Sequence, residues 1–276
     1  MTPSATKIGV VLATYDRPDW LEVAIRSIQL SATVAGREGV ETEILVVDDG
    51  PSGTATAEVC ERLGVRCVAS PIEHTSNCPA HARIFGLSQI DAPFHVFFDD
   101  DDVMLPRFLR LHAEAMVSGV DVVYSPFAMV DQDLRPFRTV DPLPVSLGDM
   151  LADHNMVNDH CLVRREAAAE GVWHGDLEVC MPFGAWLELA YRGATFVKLT
   201  EPTYLYQRHA DTMTSWMDTD ERYLSMRRDM IERYRAMVLS RDGAVPPPST
   251  SLRLRRAVPS GVKQTVRSAK RLLPGG

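Results

Sequence analysis

The sequence predicts an α/β chain built on a mixed, mainly parallel sheet flanked by helices, with a C-terminal helical extension. Three observations predict it. Up to residue 124, short β-branched runs alternate with helix-period patterns, the layout of parallel strands joined by crossover helices. Several of these runs stop at acidic or turn-forming clusters. Apolar residues make up 45% and charged residues 24% of the 276 residues, which sets aside collagen-like, coiled-coil and wholly disordered chains.

The elements follow in order. Residues 8–14 form the first predicted strand. Pro18 suits the first turn of a helix, on which Leu21, Ala24, Ile25 and Ile28 recur along one face. A second strand over 43–47 runs into Asp48-Asp49-Gly50-Pro51-Ser52-Gly53, which ends it sharply. A helix over 54–63, a strand over 65–69, a helix over 80–89 and a strand over 94–98 come next, the last leading into four consecutive aspartates. A helix over 106–117 and a strand over 122–124 follow, and the proline-punctuated stretch 126–144 reads as a hairpin and loop. Beyond it the pattern gives a helix over 147–153, a strand over 161–164 and an amphipathic helix over 183–191. Strands over 195–198 and 204–208 close the body, and a polar helix covers 218–239. Pro246-Pro247-Pro248 with Ser249, Thr250 and Ser251 reads as a linker. The expected division is a main domain over 1–217, a C-terminal helix over 218–245, and a linker with a basic tail over 246–276.

The net charge of −8 conceals an asymmetry. From Gly243 onward there are seven bases and no acid, leaving about −15 on residues 1–242. A body so acidic argues against a broad phosphate-contacting surface, so nucleic acid is not an expected partner. The tail places Lys263, Arg267, Lys270 and Arg271 around Val262, Val266 and Leu273, a pattern suited to an anionic membrane surface. No apolar run reaches eighteen residues and Met1 to Thr6 lacks a secretory layout, so the expected location is cytoplasmic, with attachment at the inner membrane face through the tail. Five cysteines without a Cys-x-x-Cys pair are expected as reduced, buried thiols.

In a sheet of this kind ligands sit outside the carboxyl ends of the strands. Tyr15-Asp16-Arg17, Asp48-Asp49-Gly50 and Asp99 to Asp102 all lie at such ends and are expected to converge. Four adjacent carboxylates strongly disfavour joint ionisation unless a cation neutralises them. A divalent ion held by one or two carboxylates together with substrate phosphates is how magnesium or manganese commonly binds.

Four blocks, in order, carry a family resemblance: Thr14-Tyr15-Asp16-Arg17-Pro18; Val46-Val47-Asp48-Asp49-Gly50-Pro51-Ser52; Asn77 with Ala82-Arg83 and Gly86; and Phe97-Phe98-Asp99-Asp100-Asp101-Asp102. Over residues 8 to about 215 the chain resembles a family 2 type glycosyltransferase of GT-A, Rossmann-like fold. The resemblance implies inverting transfer of a sugar from a nucleotide diphosphate sugar, assisted by Mn2+ or Mg2+, to an acceptor that is a glycan, a lipid-linked or a small molecule. It implies that Asp48 accepts a hydrogen bond from the nucleobase, with Thr14 and Tyr15 lining that pocket and Arg17 among the donor-binding residues. Arg83 would lie near base and diphosphate, Asp99 and Asp100 at the donor, and Asp101 on the metal. His209, in Tyr206-Gln207-Arg208-His209, resembles the family's late histidine and would touch the metal or diphosphate. His81, His112 and His174 read as surface residues.

One block departs from the pattern. The family's Glu-Asp, whose Asp acts as general base, precedes a helix similar to Ala185-Trp186-Leu187-Glu188-Leu189-Ala190, but Met181-Pro182-Phe183-Gly184 stands in that place. Glu178, Asp176 and Asp159, in that order, are the candidate substitutes. Trp173, Trp186 and Trp216 are candidate sugar-stacking rings, Trp186 reading rather as core. Two alternatives follow: a nucleotide-sugar-binding protein of this fold that has lost transfer, or a metal-dependent phosphatase, because Asp99-x-Asp101-x-Val103 formally fits such a motif.

Overall fold

A computed structural model of the chain describes residues 6–50, 54–71, 79–154, 157–168, 171–173, 181–209 and 220–248. The first strand, β1 (Thr6–Thr14), buries Ile8 to Leu12 in succession. Such a run, apolar on both faces, belongs in the middle of a parallel sheet. It lies between β2 (Val40–Asp48) and β4 (Phe94–Asp99), parallel to both, with β3 (Arg66–Ala69) outside β2. On the other side β9 (Leu162–Arg164) runs antiparallel to β4 and to β6 (Val122–Tyr124), and β10 (Phe196–Lys198) closes the edge parallel to β6. This seven-stranded sheet has the order β10-β6-β9-β4-β1-β2-β3.

Helices cover both faces. On one, α1 (Pro18–Gly36) buries Leu21, Ala24, Ile25 and Ile28, and it joins α4 (Phe108–Ala115) in the main core with Ile8, Val10, Val46 and Phe98. Two buried serines on α1 act as brackets: Ser27 Oγ accepts from the Met104 N–H at 3.0 Å and Ser31 Oγ from the Leu109 N–H at 3.1 Å. Polar side chains survive on this buried face because each is paired. On the other face α3 (Ala80–Ser88) comes so close that a Cβ on Gly86 would meet Val11 at 2.5 Å and Val47 at 2.7 Å. The helix α2 (Thr54–Leu63) packs beside α1, tied by Glu22, which accepts from Arg62 at 2.8 and 2.9 Å.

A second sheet of four strands has the order β5-β11-β7-β8, where β5 is Val103–Met104, β7 Phe127–Val130, β8 Pro136–Val140 and β11 Tyr204–Gln207. The hairpin expected within 126–144 is β7–β8. The two strands expected to close the body separate: β10 joins the large sheet and β11 the small one. The two-residue β5 escapes sequence analysis because so short a strand shows no periodicity. It pairs antiparallel with β11, Tyr204 opposite Met104 and Leu205 opposite Val103.

The C-terminal third forms its own apolar cluster from α5 (Leu147–Leu151), α6 (Met181–Tyr191) and α7 (Glu221–Asp242), which includes Trp186, Leu187, Tyr234 and Val238. Three expectations change here and nearby. α6 is not amphipathic: seven of its eleven residues are buried, because it is wedged between the large sheet and α7. His112 is not at the surface but fully buried, stacked on Phe108 at 3.9 Å, with Nδ1 beside the Phe108 carbonyl; burial pushes its pKa down to about 4. The proline segment begins packed rather than free, since the carbonyls of Pro246 and Pro247 lie against Gly148 where a Cβ would stand. His81 is exposed as expected, while His174 and the tail from 249 fall outside the described residues. Among the described residues no helix is long and apolar enough to cross a membrane.

Gly86→Ala should destabilise the chain by about 1–3 kcal/mol, read from the urea midpoint, because valine side chains from two central strands must give way. Glu22 provides a pH test. Hydrogen bonds from Arg62 and Arg26 hold its carboxyl at about 2, below the ordinary 4.5. A depressed carboxyl stabilises the fold above the unfolded value and loses that contribution as pH falls toward the folded value. The gap in urea midpoint between wild type and Glu22→Gln should therefore be open at neutral pH and close between pH 4.5 and about 2.

Candidate active site

The carboxyl ends of β1, β2 and β4 meet at one edge of the large sheet. Thr14 is opposite Asp48 and Ala13 is opposite Asp99, so three blocks separated by tens of residues share one cleft floor. The Asp49 N–H donates to the Thr14 carbonyl at 2.9 Å, which locks the β2 turn onto the end of β1. Between β1 and α1 the chain passes through Asp16 at φ 52, a left-handed conformation that aspartate tolerates better than most residues. Gly50 sits in a tight spot, as a Cβ there would stand 3.2 Å from both Asp16 N and Asp48 Oδ1.

On the β2 side, Asp48 is buried and accepts from the Gly50 N–H at 3.1 Å. Burial raises its pKa, while hydrogen bonds from Gly50 and Thr56 oppose the rise. Tyr15, beside it on the β1 turn, is 43% exposed and therefore not a core residue.

On the β4 side each aspartate has its own partners. Asp99 is paired with Arg83 of α3, whose guanidinium also lies 5.9 Å from the Phe97 ring. Burial opposes ionisation of Asp99, but the charges of Arg83, His160 and Arg17 outweigh it and hold the pKa below the usual carboxylate range. Asp100 turns inward, accepting from Thr14 Oγ1 at 2.7 Å, with Arg17 Nη1 3.5 Å away. Burial and the neighbouring Asp101 push it up to about 7. Asp101 faces the cleft, with Arg17 Nη1 at 3.2 Å and His209 Nε2 at 2.9 Å. Asp102 is fully buried, its Oδ2 2.6 Å from His160 Nε2 and its Oδ1 accepting from the Gln207 N–H at 2.9 Å.

His209 arrives from the end of β11, edge-on to Trp20 with ring centroids 4.4 Å apart. Its Nε2 and the Asp101 carboxylate fit a divalent ion: adjacent ligands on an octahedral ion with bonds of about 2.1 Å lie about 3 Å apart. Asp99, Asp102 and His160 also offer ligand atoms within 4.8 Å of one another. In that group His160 Nδ1 lies 3.0 Å from the Phe97 carbonyl, Asp102 Oδ1 holds a backbone N–H and Asp99 is matched to Arg83.

Of the three candidate bases, Glu178 and Asp176 lie outside the described residues, as do Asn77 and Trp216. Asp159 is exposed on the cleft side of β9, and enough protein surrounds it that desolvation raises its pKa, with Arg83, Asp99 and His160 as its charged neighbours. Where the family's Glu-Asp would stand, Met181 is buried and opens α6 with Pro182. Trp186 is fully buried and therefore a core ring, while the half-buried Trp173 packs 4.8 Å from Phe97 and 5.6 Å from Trp186. The sequence pointed to Asp102 only as a member of the aspartate run and did not point to His160, whose only signal is a polar stretch, Asn158-Asp159-His160, ahead of an apolar strand.

Three solved structures share the fold. Staphylococcus aureus TarS 1–349 in complex with UDP-GlcNAc superposes with a TM-score of 0.61 at 18% identity over 85% of this chain and 67% of its own. The longer S. aureus TarS gives 0.56 at 16%, over 85% of this chain but only 44% of its own length. The mannosyltransferase PcManGT of Pyrobaculum calidifontis, in complex with GDP-Man and Mn2+, gives 0.56 at 15%, over 96% and 69%. No curated protein matches the chain in sequence. The phosphatase alternative fails, because Asp99 ends a strand in the interior of the sheet after three others, where that motif's aspartate would end the first strand. Residues 9–168, more than half of the chain, match glycosyl transferase family 2, and the chain belongs to that family as a glycosyltransferase.

Proposed function

We propose that the chain transfers a sugar from a nucleotide diphosphate donor, with inversion, to a hydroxyl acceptor, and that a divalent ion assists. The observation that carries this reading is the meeting of Asp48, Asp99, Asp101 and His209 in one cleft, with Asp101 and His209 2.9 Å apart. Asp48 accepts a hydrogen bond from the nucleobase, which stacks on Tyr15 beside Thr14. Arg83 fixes Asp99 toward the ribose, and Arg17 offers positive charge to the diphosphate beside Asp100 and Asp101. Asp101 and His209 hold Mn2+ or Mg2+. They are preferred to the Asp99, Asp102 and His160 group because there Asp102 Oδ1 already accepts from the Gln207 N–H, Asp99 is matched to Arg83, and Asp102 and His160 are almost wholly buried. When bound, the ion stabilises the charge that develops on the departing diphosphate.

Asp159 is the base that the geometry supports best among the described residues. Its carboxylate takes the acceptor hydroxyl proton as the acceptor oxygen bonds to the anomeric carbon and the sugar–phosphate bond breaks from the opposite face. A raised pKa makes it a stronger base near neutral pH. The apolar Met181-Pro182 in place of Glu-Asp favours one second reading, a donor-binding protein without transfer. In this proposal residues 1–217 form the transferase unit, the helix over 218–245 braces it, and the basic tail over 246–276 rests on an anionic membrane that carries a lipid-linked acceptor.

Two measurements test the assignment. Calorimetry with UDP and GDP sugars should show Mn2+-dependent binding by the wild type that Asp101→Ala abolishes; equal affinity in the variant removes Asp101 from the ion site. Asp159→Asn should lower turnover by roughly two to four orders of magnitude while donor affinity is retained. Wild-type turnover would return the role to Glu178 or Asp176. Donor binding by the wild type with no transfer to any of a panel of glycan, lipid-linked and small-molecule acceptors would support the second reading.

A further inference from the structure

The segments that bear Asp101 and His209 are separated by 108 residues of sequence. Little backbone joins them: β5, which follows the aspartates, pairs with β11, which precedes His209, through Met104 with Tyr204 and Val103 with Leu205, and the Leu105 N–H donates to the Thr203 carbonyl at 2.9 Å. Nearer the two ligands the tie is Asp102. It follows Asp101 directly, and its Oδ1 accepts from the Gln207 N–H, two residues before His209, at 2.9 Å. A side chain placed this way sets the spacing of both ligands. A carboxylate alone, however, is free to rotate about its Cβ bond.

His160 removes that freedom. It enters at the start of β9, 2% exposed, with Nε2 2.6 Å from Asp102 Oδ2 and Nδ1 3.0 Å from the Phe97 carbonyl of β4. The ring is wedged between Phe98, at 4.4 Å, and Tyr204, at 4.6 Å. Both ring nitrogens thus face acceptors, one on the large sheet and one on the carboxylate that holds the small sheet. We infer that His160 is a positioning residue for the divalent-ion site, acting through Asp102 and the Gln207 amide to fix the separation of Asp101 from His209. The inference rests on the assignment of the ion to Asp101 and His209. Partners that orient ligands from behind typically matter about 10–100-fold for metal affinity.

A pair of near-isosteric substitutions separates this role from simple packing. In His160→Gln the amide nitrogen takes the place of Nε2 and keeps the bond to Asp102. In His160→Asn it takes the place of Nδ1, keeping the bond to Phe97 but losing Asp102. Folding of each is checked by circular dichroism, and Mn2+ affinity of the full chain by electron paramagnetic resonance of the free ion, with Mn2+ alone and with UDP or GDP present. His160→Asn should lose about 10–100-fold in Mn2+ affinity, while His160→Gln stays within about threefold of wild type. Binding of UDP or GDP without metal should be unchanged in both, since Asp48 and Tyr15 are not touched. Amide exchange at Gln207 should accelerate in His160→Asn and not in His160→Gln, which carries the test if ion binding is too weak to quantify.

Equal behaviour of the two variants, whether both match wild type or both fail, overturns the inference. Asp101→Ala is measured alongside: if it binds Mn2+ as wild type does, the ion is held elsewhere and the inference falls with that reading. Loss of Mn2+ in Asp101→Ala, with His160→Asn unaffected, overturns the positioning role alone.

Discussion

Four carboxyl groups in succession at the end of β4 form the constraint on which the site depends. Left unpaired at that density they repel one another strongly enough to unwind the turn or to remain protonated. The fold resolves the conflict by sending each in a different direction to a different partner: Asp99 to Arg83, Asp100 to Thr14, Asp101 to His209 and Arg17, and Asp102 to His160 and the Gln207 amide. Those six partners come from five places in the chain, so the electrostatics of four residues ties α3, β1, the turn into α1, the start of β9 and β11 to a single point. Asp99 and Asp101 keep part of their surface open while Asp100 and Asp102 are buried.

The inward aspartates therefore work differently from the outward ones. Asp100 is pushed up to about 7 by burial and by its neighbour, so near neutral pH it sheds part of its charge and its repulsion of Asp101 is relieved. Asp102 stays buried against His160, whose pKa, lowered by burial, is driven up to about 9 by the Asp102 bond and by the charges of Asp99, Asp102 and Asp159. The outcome is a site in which the carboxylates of Asp99 and Asp101 stand among Arg83, Arg17 and the imidazole of His209. That polarity suits a cation bridging to phosphate oxygens.

The meeting of Thr14, Asp48 and Asp99 was legible in the sequence because each sits at a strand end, and strand ends of a parallel sheet converge whatever their separation along the chain. Thr14, Asp48 and Asp99 needed no tertiary information beyond the order of the strands. The acceptor half was less legible. The residues that would supply the base lie on connections between elements, where no periodicity fixes direction, and the position that a Glu-Asp pair would occupy is taken by the apolar start of α6. His112 and α6 were misread for a related reason: a burial pattern computed along one helix cannot register a second layer that closes over its polar-looking side.

The sequence by itself determined the strands of the first half, their parallel character, the acidic cluster and its family, since hydrophobic period and local turn chemistry are written in neighbouring residues. Only the tertiary structure decided which aspartates stay partly open and which are turned inward. That choice depends on groups up to 108 residues away, His160 and Gln207 behind Asp102 and His209 beside Asp101. Direction in space is set by the partner a side chain finds, and sequence spacing alone carries no record of that partner.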